Sequence, residues 1–440
     1  MFRFFRSSSW IAAAVWSSLA STAFGGVLRV DASRPVGGNG SSWSFAFSSL
    51  DAALQVAGSD DEIWVARGRY RPTIERIPGD ARTASFLVPQ GVQLYGGFAG
   101  NELSLSARAG LFSQTSLSGD VGVVHDRSDN AHVVVLIATP APGAAGPVRI
   151  DGFVISGGNN DLGRGSGLRA FSTLVHVSNC VFQDNTAMNG PAIAAQAGQV
   201  RVKWCEFAGN TAHKNGGAIW GQTVSFRIFN SVFRDNRALR GGALYMHSIL
   251  QPDHFVVANS VFTDNSADRG GAVYVGGNDL TSGSGLWQNC TFAYNSAVYS
   301  GGAIFTRSAA PVPSTVIVRN SILWGNSAPL RPQIFGRLIL SYSNVQDRSG
   351  GPGNISLDPM FLDPAGRDLR LRPGSPSIDA GANNQVAKDY VDVDGDGILA
   401  AERTDLDAAV KERFVDDPLT PDTGAGAPPL VDMGAYEYAP

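Results

Sequence analysis

One sentence recurs in this chain. "NSVFRDNRALRGGALY" runs from Asn230 to Tyr245, "NSVFTDNSADRGGAVY" starts at Asn259 and "NCTFAYNSAVYSGGAIF" at Asn289. Aligned on Asn-x-x-Phe-x-x-Asn, the aromatic position holds Phe182, Phe207, Phe233, Phe262 and Phe292, with Leu323 as a sixth variant. The second asparagines are Asn185, Asn210, Asn236, Asn265, Asn295 and Asn326, at steps of 25, 26, 29, 30 and 31 residues. A Gly-Gly-Ala follows at Gly216, Gly241, Gly270 and Gly301, with Gly190-Pro191-Ala192 as a degraded copy. A period of this size, built of short β-branched runs without helical spacing, belongs to a solenoid. Each unit is too thin to bury its own apolar face, so stacked units share one core.

The alternation within a unit gives the orientation. Val181 and Glu206 occupy one aligned position, which tolerates a charge and so faces out; the Cys/Ser position and the Phe beside it face in. In "GGAVYV", Val273 and Val275 face in and Tyr274 faces out. These are short strands joined by bends, which predicts an all-β, right-handed parallel β-helix. The second asparagines form a predicted ladder, because bends leave backbone groups without strand partners and stacked Asn amides supply them. The Gly-Gly pair serves a bend where φ is positive or side chains clash. Cys180 and Cys205 share one inward column on adjacent coils, continued by Ser231 and Ser260. At about 4.8 Å apart they are within reach of a disulfide, or they are simply small buried residues. With Cys290 the count is three, so no disulfide framework holds the chain together.

The Phe-x-x-Asn and Gly-Gly-Ala-(Ile/Leu/Val) pairing resembles the repeats of polymorphic outer-membrane proteins and of secreted β-helix proteins of the pectate-lyase-like superfamily. "GSSWSFAFSSLDAAL", "DEIWVARGRYRP", "LYGGFAGNE", "LSGD" and "IDGFVISGGN" resemble the opening of that secreted family. "GSPSIDAG" and "VDMGAYEY" resemble the tail called the choice-of-anchor Q domain. The resemblance specifies fold more than activity. Family members often carry a C-terminal sorting anchor, and the sequence ends at Pro440 without one.

The flanks agree on their own terms. Leu50, Ala53, Leu54 and Ala57 have helical spacing, with Ser48 or Ser49 as N-cap, so a short helix before the strand 61–66 is expected to cover the open end. The predicted organisation is a signal peptide over 1–23, an N-terminal cap over 24–75, the β-helix over 76–350 and an acidic C-terminal cap over 351–440. Arg3, Arg6, the apolar run "WIAAAVWSSLA" and Ser21-Thr22-Ala23 carry the export signal; a retained anchor is the alternative. No later run is apolar enough to cross a membrane. A formal charge of −4 without a basic run excludes a nucleic-acid partner.

Three groups could carry function. Trp220, Tyr245, Tyr274 and Phe305 directly follow Gly-Gly-Ala-x, and the alternation turns them outward as a possible platform for sugar rings; sheet stacking is the other reading. Asp235, Asp264 and Asp268, with Lys214, Arg240, Arg269 and His247, are the material available to a polysaccharide lyase or glycoside hydrolase. They sit at repeat positions, as solvated turn residues do. "DVDGDGIL" places Asp392, Asp394 and Asp396 as calcium ligands. Its twelfth position is Arg403, and Glu402, Asp405 and Asp407 are out of phase, so it is not an EF-hand. His176, His213 and His254 read as solvated or packed. The sequence therefore predicts an exported binding scaffold for polysaccharide or another surface, with a polysaccharide-cleaving enzyme as the alternative and calcium as the candidate cofactor.

Overall fold

The computed structural model describes residues 25–108, 110, 112–139, 146–247, 255–276, 284–307, 315–393 and 403–440. The expected signal peptide lies outside these residues. No helix among the described residues is long and apolar enough to cross a membrane.

The chain is a parallel β-helix. Among the described residues its strands form an 18-stranded, a 10-stranded and a 6-stranded sheet running along the coil, plus one two-stranded hairpin. A single turn shows the logic. Phe255–Ala258 lies in the broad sheet, Val261–Thr263 in the 10-stranded sheet, Ser266–Arg269 in the 6-stranded sheet, and Val273–Gly276 returns to the broad sheet. The coil begins before residue 76, since Val27–Val30 and Glu62–Ala66 already pair in the broad sheet and Gly68–Tyr70 opens the 10-stranded one. The α-helix spans Leu50–Val56 and buries Leu50, Ala53 and Leu54 against the first coils.

The repeat turns bend at three left-handed corners, and this explains most of the repeated letters. The first corner holds Asn230, Asn259, Asn289 and Asn320, with φ of 48–50°. The second holds Asp184, Asp235 and Asp264, with φ of 55–58°. The third holds Gly216, Gly241, Gly270 and Gly301, with φ of 62–66°. Asn, Asp and Gly are the residues that enter this region at least cost. The second glycine of each pair has a different reason: a Cβ on Gly242 would lie 2.0 Å from the Gly271 carbonyl oxygen one coil away.

Two ladders stack inside the corners. Asn236 donates through its backbone and side-chain N–H groups to Asn265 Oδ1 at 3.1 and 2.9 Å, and its amide also reaches the Phe207 carbonyl at 2.9 Å. Asn265 repeats this with Asn295 and the Phe233 carbonyl. The same bonds link Asn185 to Asn210, Asn210 to Asn236 and Asn295 to Asn326, all buried. Each rung left unmade would cost about 1–3 kcal/mol. Phe182, Phe207, Phe233, Phe262 and Phe292 stack beside them at centroid spacings of 4.6–5.2 Å. Cys180, Cys205 and Cys290 are free buried thiols, sharing their column with Ser231, Ser260 and Ser321. Here each serine hydroxyl accepts the amide N–H of the preceding rung, as Ser231 does from Cys205 at 3.3 Å.

The growing step has a structural address. Ile193–Lys203 is one unbroken strand, whereas later turns split it into Leu244–His247 and Phe255–Ala258, or Val273–Gly276 and Ser284–Gln288. Most of the added residues enter between the two halves of the broad sheet, while the single extra residue in Asn210–Gly216 and in Asn295–Gly301 is taken up as a register shift in the 6-stranded sheet.

The C-terminal region does not simply close the end of the stack; it runs back along the flank. Phe361, Leu369, Leu371, Ile378, Met433 and Ala435 cover Val261, Ala293 and Ile322 on the outer face of the 10-stranded sheet. Ala387, Val391 and Val393 cover Phe229, Val256 and Ala258. The reason is compositional: in these coils the outward column turns apolar, so it needs a cover.

Candidate functional site

The aromatic column is a buried stack, not an exposed stripe. Trp220, Tyr245, Tyr274, Phe305 and Phe335 lie directly opposite one another on successive strands, facing out from the core as the alternation requires. Yet Trp220, Tyr245, Tyr274 and Phe305 are only 5–9% exposed. Rings one rung apart cover each other's faces, with centroids 5.2, 4.8 and 4.9 Å apart from Tyr245 to Phe335. The Arg164 guanidinium closes over Trp220 at 4.5 Å. Burial raises the pKa of both tyrosines. Trp220, Tyr245, Tyr274 and Phe305 therefore present almost no open ring face to a sugar, which corrects their expected exposure.

Two of the three carboxylates considered for catalysis, Asp235 and Asp264, hold turns and ion pairs of the coil. Asp235 and Asp264 occupy left-handed corners. Asp264 takes a two-pronged ion pair from Arg367, both N–O distances 2.7 Å, tying the C-terminal hairpin to the coil. Asp235 pairs with Arg234 at 3.3 Å. Asp268 is half-buried, and Lys214, Arg240 and Arg269 are exposed. His247 stacks on Tyr245 at 6.3 Å, its pKa lowered by burial and then by Arg307. His213 bonds Asp161 at 3.0 Å, and His254 lies outside the described residues. Of the acidic loop, Asp394, Asp396 and Glu402 also lie outside them. Asp392 is described, and its carbonyl accepts the Lys203 ammonium. Asp407 caps its own turn, accepting the Ala409, Lys411 and Glu437 N–H groups.

A different outward column gathers charge. Arg149, His176, Arg201 and Arg227 are register partners on four successive strands of the broad sheet. Each precedes an inward Ile or Val, which fixes its direction: Ile150, Val177, Val202 and Ile228 are all buried. Arg149, His176, Arg201 and Lys203 line a cleft of about 140 Å³ whose far wall is Val391 and Asp392. Arg149 Nε donates to Gln93 at 3.1 Å, and Arg227 stacks on Tyr390 at 3.9 Å. His176 Nε2, Arg201 Nε and Arg227 Nε are buried without a hydrogen-bond partner. Burial, then Arg149, Arg201 and Lys203, push the His176 pKa down to about 4. Burial and Arg227 lower that of Arg201, and burial lowers that of Lys203 against the pull of Asp392. Arg149, Arg201 and Lys203 around one cleft, with neutral His176 between the two guanidiniums, offer an anion several cationic donors. The signal was in the alignment: each of these residues stands six places before the aligned position of Ile155, Phe182, Phe207 or Phe233.

The Chlamydia polymorphic membrane protein repeat matches residues 205–222 and 289–307. A search of curated proteins finds no match. Both matched stretches run from the 10-stranded sheet through the ladder asparagine and the glycine corner into the broad sheet. The chain is therefore a β-helix built of polymorphic-membrane-protein-like repeats.

Proposed function

We propose that this protein is an exported binding scaffold, at the cell surface or outside the cell, for an acidic polysaccharide. The carrying observation is the Arg149–His176–Arg201–Arg227 column beside the cleft that Arg149, Arg201 and Lys203 line. A polyanion with regularly spaced carboxylates or sulfates meets repeated donors at roughly 4.8 Å along the coil, and a guanidinium offers such groups a planar fork. The membrane-protein kinship of the repeats supports a surface location. Binding through charge rather than ring stacking follows from the buried aromatic column.

The test is a panel of uronate-rich, sulfated and neutral polysaccharides offered to the purified chain, read for both binding and product release. Retention on acidic polymers, weakening steeply with salt and at least about tenfold in an Arg149→Ser, Arg201→Ser variant, is the expected result. Equal binding of neutral polymers, or an unaffected double variant, refutes the reading. Release of shortened or unsaturated products would establish the cleaving enzyme instead.

A further inference from the structure

We propose that Asp379, Asp416 and Asp422 form a calcium site that pins the C-terminal segment onto itself. A carboxylate oxygen from each lies within 4.8 Å of those of the other two. Asp379 is fully buried, and the other two are exposed. Asp379 Oδ2 accepts the Asp417 N–H at 3.2 Å, while its Oδ1 is buried with no partner. Among the described residues, no Lys or Arg forms an ion pair with any of the three. The nearby buried cation, Arg413, is engaged by Glu437 and by the Gly434 and Ala435 carbonyls.

The backbone holds this geometry independently of the charges. Asp379 sits at φ 50°, its N–H donates to Asp432 Oδ1 at 2.8 Å, and its carbonyl accepts the Thr423 and Gly424 N–H groups at 3.1 and 3.0 Å. Those last bonds bring Asp422 back beside it. Asp417 spends its own carboxylate on the Leu419 N–H and Thr420 hydroxyl, which shapes the turn between the other two aspartates. Burial and then the neighbouring Asp416, Asp422 and Asp417 charges raise the Asp379 pKa to about 6, against the Asp417 N–H bond. Three carboxylates with a dry floor and an open, wet side suit a hard cation that takes several oxygens and keeps some water. The set contains no nitrogen or sulfur donor to favour zinc.

The full chain would be stripped with chelator, then titrated with CaCl2 and separately MgCl2 by calorimetry and thermal melting. Calcium binding with a rise in melting temperature is expected, since a ligand of the folded state stabilises it. Asp416→Asn and Asp422→Asn, both at exposed positions, should each weaken calcium about tenfold or more while leaving the calcium-free melt unchanged. Asp392→Asn should leave calcium binding intact. No heat and no melting shift with calcium overturns the proposal. So does unchanged affinity in the Asp416→Asn, Asp422→Asn double variant.

Discussion

His176 is the residue where the cationic column becomes measurable. It faces Arg149 and Arg201 on the neighbouring rungs, Lys203 on the next strand and Asp392 from the C-terminal segment. Its folded-state pKa, about 4, lies below the ordinary 6.5. The folded chain thus holds fewer protons than the unfolded one between those values. The stability this group contributes is complete above about pH 6.5 and is lost as the pH falls toward 4. Urea denaturation at pH 7 and pH 4.5 should show that loss, and a His176→Gln variant should lose less over the same interval. A variant with the same pH dependence as the parent would show that the histidine is not held neutral by its neighbours. The column is hard to read in the sequence because its members are not identical letters. Arg149, His176, Arg201 and Arg227 share a register but not a name, the histidine standing neutral among the guanidiniums, and only the pairing of strands turns that into a site.

At the scale of the element, the alternation of inward and outward residues was fully legible, and so were the ladder asparagines and the glycine corners. These rest on rules that act within one turn: period two along a strand, and left-handed φ at a bend. Exposure was not legible, because direction is not exposure. A ring that points away from the core is still covered when the rungs above and below carry rings too. Tyr245→Ala with Tyr274→Ala should therefore act on the fold, breaking the Tyr245–Tyr274 and Tyr274–Phe305 stacks, each worth about 0.5–1.5 kcal/mol beyond the buried area, and the Tyr245–His247 stack with them. A lower urea midpoint with unchanged retention on acidic polymers is expected. An unchanged midpoint would mean the stack contributes nothing to the coil. The split of the broad sheet belongs here as well: the growing repeat step was visible in the sequence, but its location between two half-strands was not, because both halves read as ordinary strands.

At the scale of the whole molecule, the first asparagine of four successive repeats, from Asn230 to Asn320, does a second job. Having turned the corner, it projects its amide outward and binds the returning C-terminal segment. Asn230 donates to the Asp407 carbonyl at 2.6 Å, Asn259 to Leu406 at 2.9 Å and Asn289 to Asp432 at 3.2 Å. Asn320 both donates to the Ala382 carbonyl at 3.0 Å and accepts the Ala382 N–H at 2.9 Å. Partners so distant in sequence leave no trace in a repeat alignment, so the asparagines read as pure scaffold. Glycine at these positions keeps the left-handed corner while deleting the amide, which separates the two jobs. In an Asn289→Gly, Asn320→Gly variant three bonds to the segment are lost, each about 1 kcal/mol net. Hydrogen exchange should then quicken about tenfold or more at Ala382, whose N–H loses its acceptor, and around Asp432. The amides of Asn236 and Asn265, donated to the inner ladder, should stay as protected as before. Uniform acceleration across the ladder would mean the segment and the coil unfold as one unit. Unchanged exchange at Ala382 would mean the apolar cover from Phe361 to Ala435, rather than the asparagines, fastens the segment to the flank.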